Sequence, residues 1–330
     1  MQIIRVEDFG ALAGIPHADG LARSDPAQLA AHRPDAHLAA LAGGAAVGRC
    51  SLWWRETPPH AAGPLGAIGH FAVAPGADLR PLLLRACKEL AGAGAVLAVG
   101  PMDGNTWRSY RLVTGSGGEP PFFLEPWTPA EWPAHFLGAG FTPLATYHSS
   151  VAEDLSEVDP RVAEAGERLR ANDIRVRTLD ARRYEEELGR IHALSVEGFS
   201  RNFLYTPIGR EEFVAQYRPV QRFLDPGLVF IAERGGDIAG FLFAVPDVLE
   251  SQRGSAPRTV IVKTVAVRPG RACGGLGAWL TAECHARAAK AGFTRAVHAL
   301  MHDSNNSVNI SRRYSRVLRR YTLYARRLVA

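Results

Sequence analysis

Apolar and polar residues alternate over Ile174-Arg-Val-Arg-Thr-Leu179, the period of a half-buried strand. The period then lengthens: Tyr184, Leu188, Ile191, Leu194 and Val196 predict a helix over residues 182–199, and residues 211–223 read as a second helix. Residues 228–234 and 238–245 read as strands joined by Gly235-Gly236-Asp237, a hairpin signal. A long β-branched strand follows over 259–267, then a helix over 278–291 stopped by Gly292. A strand over 295–301, a helix over 307–316 and a last strand over 321–328 complete the order. That order, β-α-α-β-β-β-α-β-α-β, predicts a mixed α/β layered domain.

The first half repeats the end of this order. Residues 38–41 and 46–53 read as a hairpin about Gly43-Gly44, followed by a strand at 67–73, a helix at 79–91 and a strand at 95–99. Short matches run in the same order along both halves. Gly43-Gly-Ala-Ala-Val-Gly48 matches Gly235-Gly-Asp-Ile-Ala-Gly240 at an offset of 192, and Ala72-Val-Ala-Pro-Gly76 matches Ala266-Val-Arg-Pro-Gly270 at 194. Met102-Asp-Gly-Asn105 resembles Met301-His-Asp-Ser-Asn305 at 199 to 200. Collinear matches with a slowly growing offset indicate a duplicated domain. The expected division is 1–151, a polar linker helix over 152–172, and 173–330.

Composition narrows the class. The 330 residues carry a formal charge of +5, 47% hydrophobic and 22% charged residues, which excludes wholesale disorder. Cys50, Cys87, Cys273 and Cys284 are too scattered for a disulfide framework, and no CxxC pair suggests zinc, so no metal is expected. The longest apolar stretch, residues 91–102, is interrupted by glycines and a proline and falls short of the roughly 20 residues of a membrane helix. Glu7 and Asp8 break any signal-peptide pattern, and the expected location is cytoplasmic. Residues 311–330 hold Arg312, Arg313, Arg316, Arg319, Arg320, Arg326 and Arg327 without an acid. A solvated basic face is the plain reading, and attraction to an anionic ligand or nucleic acid the alternative.

The candidate chemistry lies in Val265-Ala-Val-Arg-Pro-Gly-Arg-Ala-Cys-Gly274-Gly275-Leu276-Gly277-Ala278: a strand, a glycine-rich loop and a helix start. Free N–H groups and the positive end of the helix dipole favour a phosphate there, and Arg268 and Arg271 add charge. No lysine follows the glycines as in a P-loop, and Gly275-Leu-Gly277 lacks the third glycine of a dinucleotide fingerprint. The arrangement resembles motif A of the GNAT superfamily of N-acetyltransferases: a strand, V-x-P (Val267-Arg-Pro269), then Q/R-x-x-G-x-G/A at a helix start. Gly275-Leu-Gly277 matches it, while the Q/R position holds Ala272, with Arg271 one place early.

The resemblance implies two tandem GNAT-like domains, each a mixed, mostly antiparallel sheet flanked by helices. It also implies acetyl-CoA, or another acyl-CoA, as co-substrate. Backbone N–H groups from Cys273 to Ala278 would hold the diphosphate, and Val265, Ala266 and Val267 would pair with the pantetheine arm. Family members often carry an Asn at the next strand's end, here Asn305 or Asn306, and a Tyr on the following helix, here Tyr314, as general acid for the thiolate. Tyr321 and Tyr324 are its rivals. Asn202 and Tyr205, in the polar-aromatic run that joins the first two helices, would face a small-molecule amine acceptor. Glu233, Asp247, Glu250 and His302 stand near strand ends as possible bases. The implied activity is acyl transfer to an amine by direct attack; a non-catalytic acyl-CoA or small-molecule sensor is the alternative. The first half lacks the glycine trio and carries Asp78 at its helix start, which would repel a diphosphate, so one CoA per chain is expected. Its aromatic runs around Trp107 and Phe122 suggest a pocket wall or an interdomain surface.

Overall fold

The two hairpins form as their glycines require. Gly43 and Gly44 have φ of 59° and 83°, and Gly235 and Gly236 have 59° and 89°. Two successive left-handed residues give the turn whose twist matches the flanking strands. The computed structural model describes the whole chain apart from residues 7, 158, 305–314 and 330 and the side chains of residues 11 and 13.

The first half runs β1 (Gln2–Val6), α1 (Pro26–His32), β2 (Ala36–Ala42), β3 (Ala45–Trp53), β4 (Leu65–Val73), α2 (Arg80–Gly92), β5 (Leu97–Gly100), β6 (Leu112–Gly115), α3 (Trp132–Gly138) and β7 (Thr142–Ala152). Helix α4 (Arg161–Ala171) leads to the second half: β8 (Arg175–Thr178), α5 (Tyr184–Gly198), α6 (Arg210–Tyr217), β9 (Val229–Arg234), β10 (Asp237–Pro246), α7 (Val248–Gln252), β11 (Thr259–Val267), α8 (Leu276–Lys290), β12 (Arg295–His302) and β13 (Arg316–Arg327). The α-helix expected over 211–223 ends at Tyr217 and continues as a 3-10 turn, because Pro219 has no N–H to donate.

All the described strands share one sheet, in the order β1-β2-β3-β4-β5-β13-β7-β12-β11-β10-β9-β8, with β6 beside β13. The order is symmetric about its centre. β4 and β5 pair in parallel, as do β11 and β12, while the other named pairs are antiparallel. The closing strands are exchanged: β5 pairs with β13 from the end of the chain, and β12 pairs with β7 from the first half.

Neither closing strand was fully legible. β7 is rich in buried polar groups, among them His148, Ser149 and Ser150, and shows no apolar alternation. β13 begins at Arg316, five residues ahead of the expected 321, because Arg319 is buried against a carboxylate and so enters the sheet despite its charge. Of the helix expected over 307–316, residues 307–314 lie outside the described residues; Arg316 is already in strand.

The duplication is visible in packing. Gly48 on β3 faces Leu79 just before α2, and Gly240 on β10 faces Leu276 at the start of α8; a Cβ at either glycine would run into the leucine. Gly48 is paired with Val73 and Gly240 with Val267, the same register in both halves. In the second half α8 packs with Leu276, Leu280 and Cys284 on one face of the sheet, and α5 with Leu188, Ile191 and Leu194 on the other. The four cysteines are free and buried. Among the described residues no helix is long and apolar enough to cross a membrane.

Candidate active site

β11 pairs with β12 only from Thr259 to Val262, against Arg295 to His298. Beyond that point the parallel strands part, and the β12-facing edge of residues 263–267 has no strand partner among the described residues. The other edge stays bonded: Val265, Ala266 and Val267 pair with Leu242, Phe241 and Gly240 of β10. A register shift between Phe243 and Ala244 leaves Lys263 unpaired in β11, a bulge at the point of divergence. The result is a wedge-shaped opening with one free strand edge, ready to accept an extended amide chain.

The glycine loop closes the end of this wedge. Arg268 N–H donates to Ala239 O at 2.8 Å, which holds the chain to the sheet beyond β11. Residues Arg271–Cys273 make a 3-10 turn in which Cys273 N–H donates to Gly270 O and Gly274 N–H to Arg271 O. Two of the donors expected to face a diphosphate are therefore spent on the turn itself. Gly275 takes the left-handed conformation, φ 85°, and α8 starts at the next residue. Trp279 N–H makes the first helical bond, to Gly275 O at 3.0 Å. The N–H groups of Gly275, Leu276, Gly277 and Ala278 have no acceptor among the described residues, and Gly274 and Gly275 are exposed. Four convergent donors at a helix N-terminus fit a diphosphate. Arg271 is exposed at the turn, whereas Arg268 lies 3.5 Å from Glu197 and 3.8 Å from Asp237, which share its charge. Helix α4 adds a cation that the sequence pattern did not single out: Arg168 Nη2 comes within 3.6 Å of where a Cβ on Gly275 would stand.

Residues 195–311 match the acetyltransferase (GNAT) family. The second half therefore carries a GNAT-family domain. The fold extends the likeness to the whole chain. A tandem GNAT protein from the clavulanic acid biosynthesis pathway superposes with a TM-score of 0.51 at 14% identity, over 100% of this chain and 99% of that one. An N-acetyltransferase structure from Anabaena variabilis gives 0.53 at 10% identity, over 99% and 73%. A curated relative, the bacterial ceramide synthase of Caulobacter vibrioides, is 26% identical over 217 residues, 63% of this chain. The chain spans 55% of that relative's length.

The first half walls the second half's opening. Phe122 packs in the core beneath α5 and α6, and Phe123 N–H donates to Asp247 Oδ1 at 2.9 Å. Glu125 and Arg319, both fully buried, form an ion pair at 2.7 Å, and Tyr321 donates its hydroxyl to the same carboxylate. Arg319 also donates to the carbonyls of Ser116, Glu119 and Pro120. Arg316 bonds Glu119 and Glu153, so much of the basic C-terminal run is consumed internally. Lys263 is held here too, its Nζ 3.4 Å from Leu124 O. Burial and the nearby Arg111 charge push its pKa down to about 7, with Glu125 acting in the opposite sense. Neither the spacing nor the motif marked this lysine; its chemistry comes from the bulge and from a loop some 140 residues away.

The remaining sequence candidates fall in three groups. Tyr314, Asn305 and Asn306 lie outside the described residues. Tyr324 packs in the first half's core, 5.9 Å from the Phe136 ring, and Tyr321 is tied to Glu125. The four possible bases hold structure: Glu233 binds Arg177 and Arg190, Asp247 accepts from Phe123 and Leu249, Glu250 accepts from Arg258 and Thr259, and His302 bonds Ser304. Tyr205 donates to Val196 O at 2.9 Å and so ties its loop to α5, while Asn202 is exposed on the adjoining turn. Trp107 of the first half packs on Phe199 and Tyr205 and donates to Thr206 O, so the loop over 199–207 rests on the other half.

The first half's counterpart loop has a different end. Asp78 accepts from Arg80 N–H and pairs with the Arg80 guanidinium at 2.6 Å, contacts that lower its pKa to about 2. A carboxylate thus stands at the start of α2, and Pro81 removes a further donor. Deeper in, His32, His70 and Asp103 bring potential metal-ligating atoms within 4.8 Å of one another. The two imidazoles are stacked and hydrogen-bonded at 2.8 Å, and the charges of Arg49 and Arg108 help depress the His70 pKa to about 3, after burial. Those arginines oppose a divalent cation in this place.

Proposed function

We propose that the C-terminal half is an acyl-CoA-dependent N-acyltransferase, with acetyl-CoA as the simplest donor and a small-molecule amine as acceptor. The observation that carries the reading is the pairing of four free helix N-terminal donors with an unpaired β11 edge, as shown by Gly275 to Ala278 and residues 263–267. The diphosphate would rest on Gly275 to Ala278, assisted by Arg168 and Arg271, and the pantetheine amides would add to the β11 edge as a short strand. A thioester carbonyl at the divergence point would lie beside Lys263 and Thr264, where a backbone N–H can stabilise the oxyanion as the amine attacks. Lys263, poised near neutrality, is suited to take the proton lost by the attacking amine. Tyr314 would return a proton to the departing thiolate.

The test is thiol release from acetyl-CoA and from a long-chain acyl-CoA, with a panel running from short amines to long-chain amino alcohols. The long-chain arms are included because of the ceramide synthase relative. Turnover with at least one pair supports the enzyme; CoA binding without turnover across the panel favours the sensor. If Lys263 is the base, kcat/KM rises with pH through about 7 as its ammonium deprotonates, and Lys263→Met flattens that limb. An unchanged pH profile in folded Lys263→Met removes Lys263 from the mechanism. Tyr314→Phe should lower kcat by roughly 10²-fold with CoA affinity kept.

A further inference from the structure

We infer that the N-terminal half keeps a ligand site of its own, a cavity that recognises a small organic carboxylate with an apolar body. The inference uses neither the glycine loop nor the β11 edge, although Arg111 of its wall also acts on Lys263.

The cavity has a volume of about 300 Å³ and lies where β4 and β5 part, the place in this half that corresponds to the opening between β11 and β12. Its walls are mixed, with Leu29, Phe71, Pro101, Leu112, Trp127 and Trp132 supplying the apolar part. Its polar groups have an unusual deficit. Among the described residues eight buried side-chain nitrogen or oxygen atoms lack a partner, and four of them belong to residues of this one wall: Ser24 Oγ, Trp132 Nε1, and Arg111 Nε and Nη1. The tryptophan and arginine atoms can only donate. Buried donors are costly to leave unpaired, so a concentration of them around one cavity marks the place of a missing acceptor.

Charge points to an anion. Arg111 is 5% exposed, and its guanidinium lies over the rings of Tyr110 and Tyr147 at 4.1 and 4.3 Å, with no carboxylate paired to it among the described residues. Arg49, also in the wall, donates to the carbonyls of Ala22 and Arg23 rather than to an acid. Two acids border the cavity: Asp25, at its exposed side, accepts the Ala27 N–H at 2.9 Å, and Asp103 accepts the His70 N–H at 2.6 Å. Arginine and indole donors in one wall suit a carboxylate, and the aromatic residues of that wall suit an apolar body. A phosphate-bearing ligand is disfavoured because Asp78 already occupies the helix start that would hold it.

The experiment is calorimetric titration of the full chain with phenylacetate and hexanoate, alongside phenylacetamide, hexanamide, inorganic phosphate and zinc chloride. The expected result is one carboxylate per chain, at least tenfold tighter than its amide, without competition from coenzyme A. Trp132→Phe keeps the ring and removes one donor; Arg49→Gln removes a cation at the wall. Each should weaken phenylacetate severalfold and leave coenzyme A affinity unchanged. The inference is overturned if neither carboxylate binds, if amide or phosphate binds as well, if only zinc binds, if coenzyme A displaces the carboxylate, or if both folded variants bind it as the parent does.

Discussion

The glycine loop after β11 and its counterpart after β4 stand at equivalent places in the two halves and end in opposite ways. Five residues separate Gly270 from Leu276, whereas two separate Gly76 from Leu79. The longer loop spends two N–H groups on its own turn and leaves four free at the start of α8. The shorter one fills the same place with the Asp78 carboxylate. Around this difference the two halves share the two-glycine hairpin, the glycine on the third strand, and the leucine that packs on it. Core positions are held by close packing, where any added atom must displace a neighbour. A loop at a strand end faces solvent and can lose its ligand without harming the fold.

The comparison breaks most severely if the halves are parted. Because β12 depends on β7, and β5 on β13, each half alone exposes unpaired strand edges. Chains covering 1–153 and 173–330 should each fail to give a cooperative thermal transition, and their co-expression should restore one. A stable, monomeric 173–330 would show that the exchanged strands are dispensable.

A smaller but large effect is expected at the buried ion pair. Glu125→Gln leaves the fully buried Arg319 without its countercharge, which should cost about 3–5 kcal/mol in denaturant unfolding. A loss under about 1 kcal/mol would mean that the surrounding carbonyls alone satisfy Arg319.

The comparison sharpens at the loops themselves. Gly277 lies in the first turn of α8 without a positive φ, so Gly277→Glu tests charge at the cradle with less backbone strain than a change at Gly275, whose φ of 85° penalises other residues. CoA affinity should fall at least tenfold, about 1.4 kcal/mol. Asp78→Asn in the other loop should leave one CoA per chain. Two equivalent sites in the parent protein would refute the asymmetry.

Much of this architecture was legible because local patterns carry it. The alternation at 174–179, the helical spacing of Leu188, Ile191 and Leu194, and the Gly-Gly hairpins each became the expected element. The helix start after the glycines also leaves free donors, which backbone geometry alone places there. The donors of Cys273 and Gly274 were beyond the pattern, because whether an N–H is free depends on how tightly the turn closes.

What the sequence by itself determined was two copies of one layered α/β unit, with a glycine-rich helix start in the second. What only the tertiary structure decided was which strand closes which half, and therefore which charges become buried. Arg319 reads as part of a basic tail until β13 enters the sheet between β5 and β7 and meets Glu125. Lys263 reads as one strand residue among others until a bulge turns it toward Leu124, Glu125 and Arg111. Strand pairing and desolvation are properties of residues brought together from distant parts of the chain, and local periodicity holds no record of them.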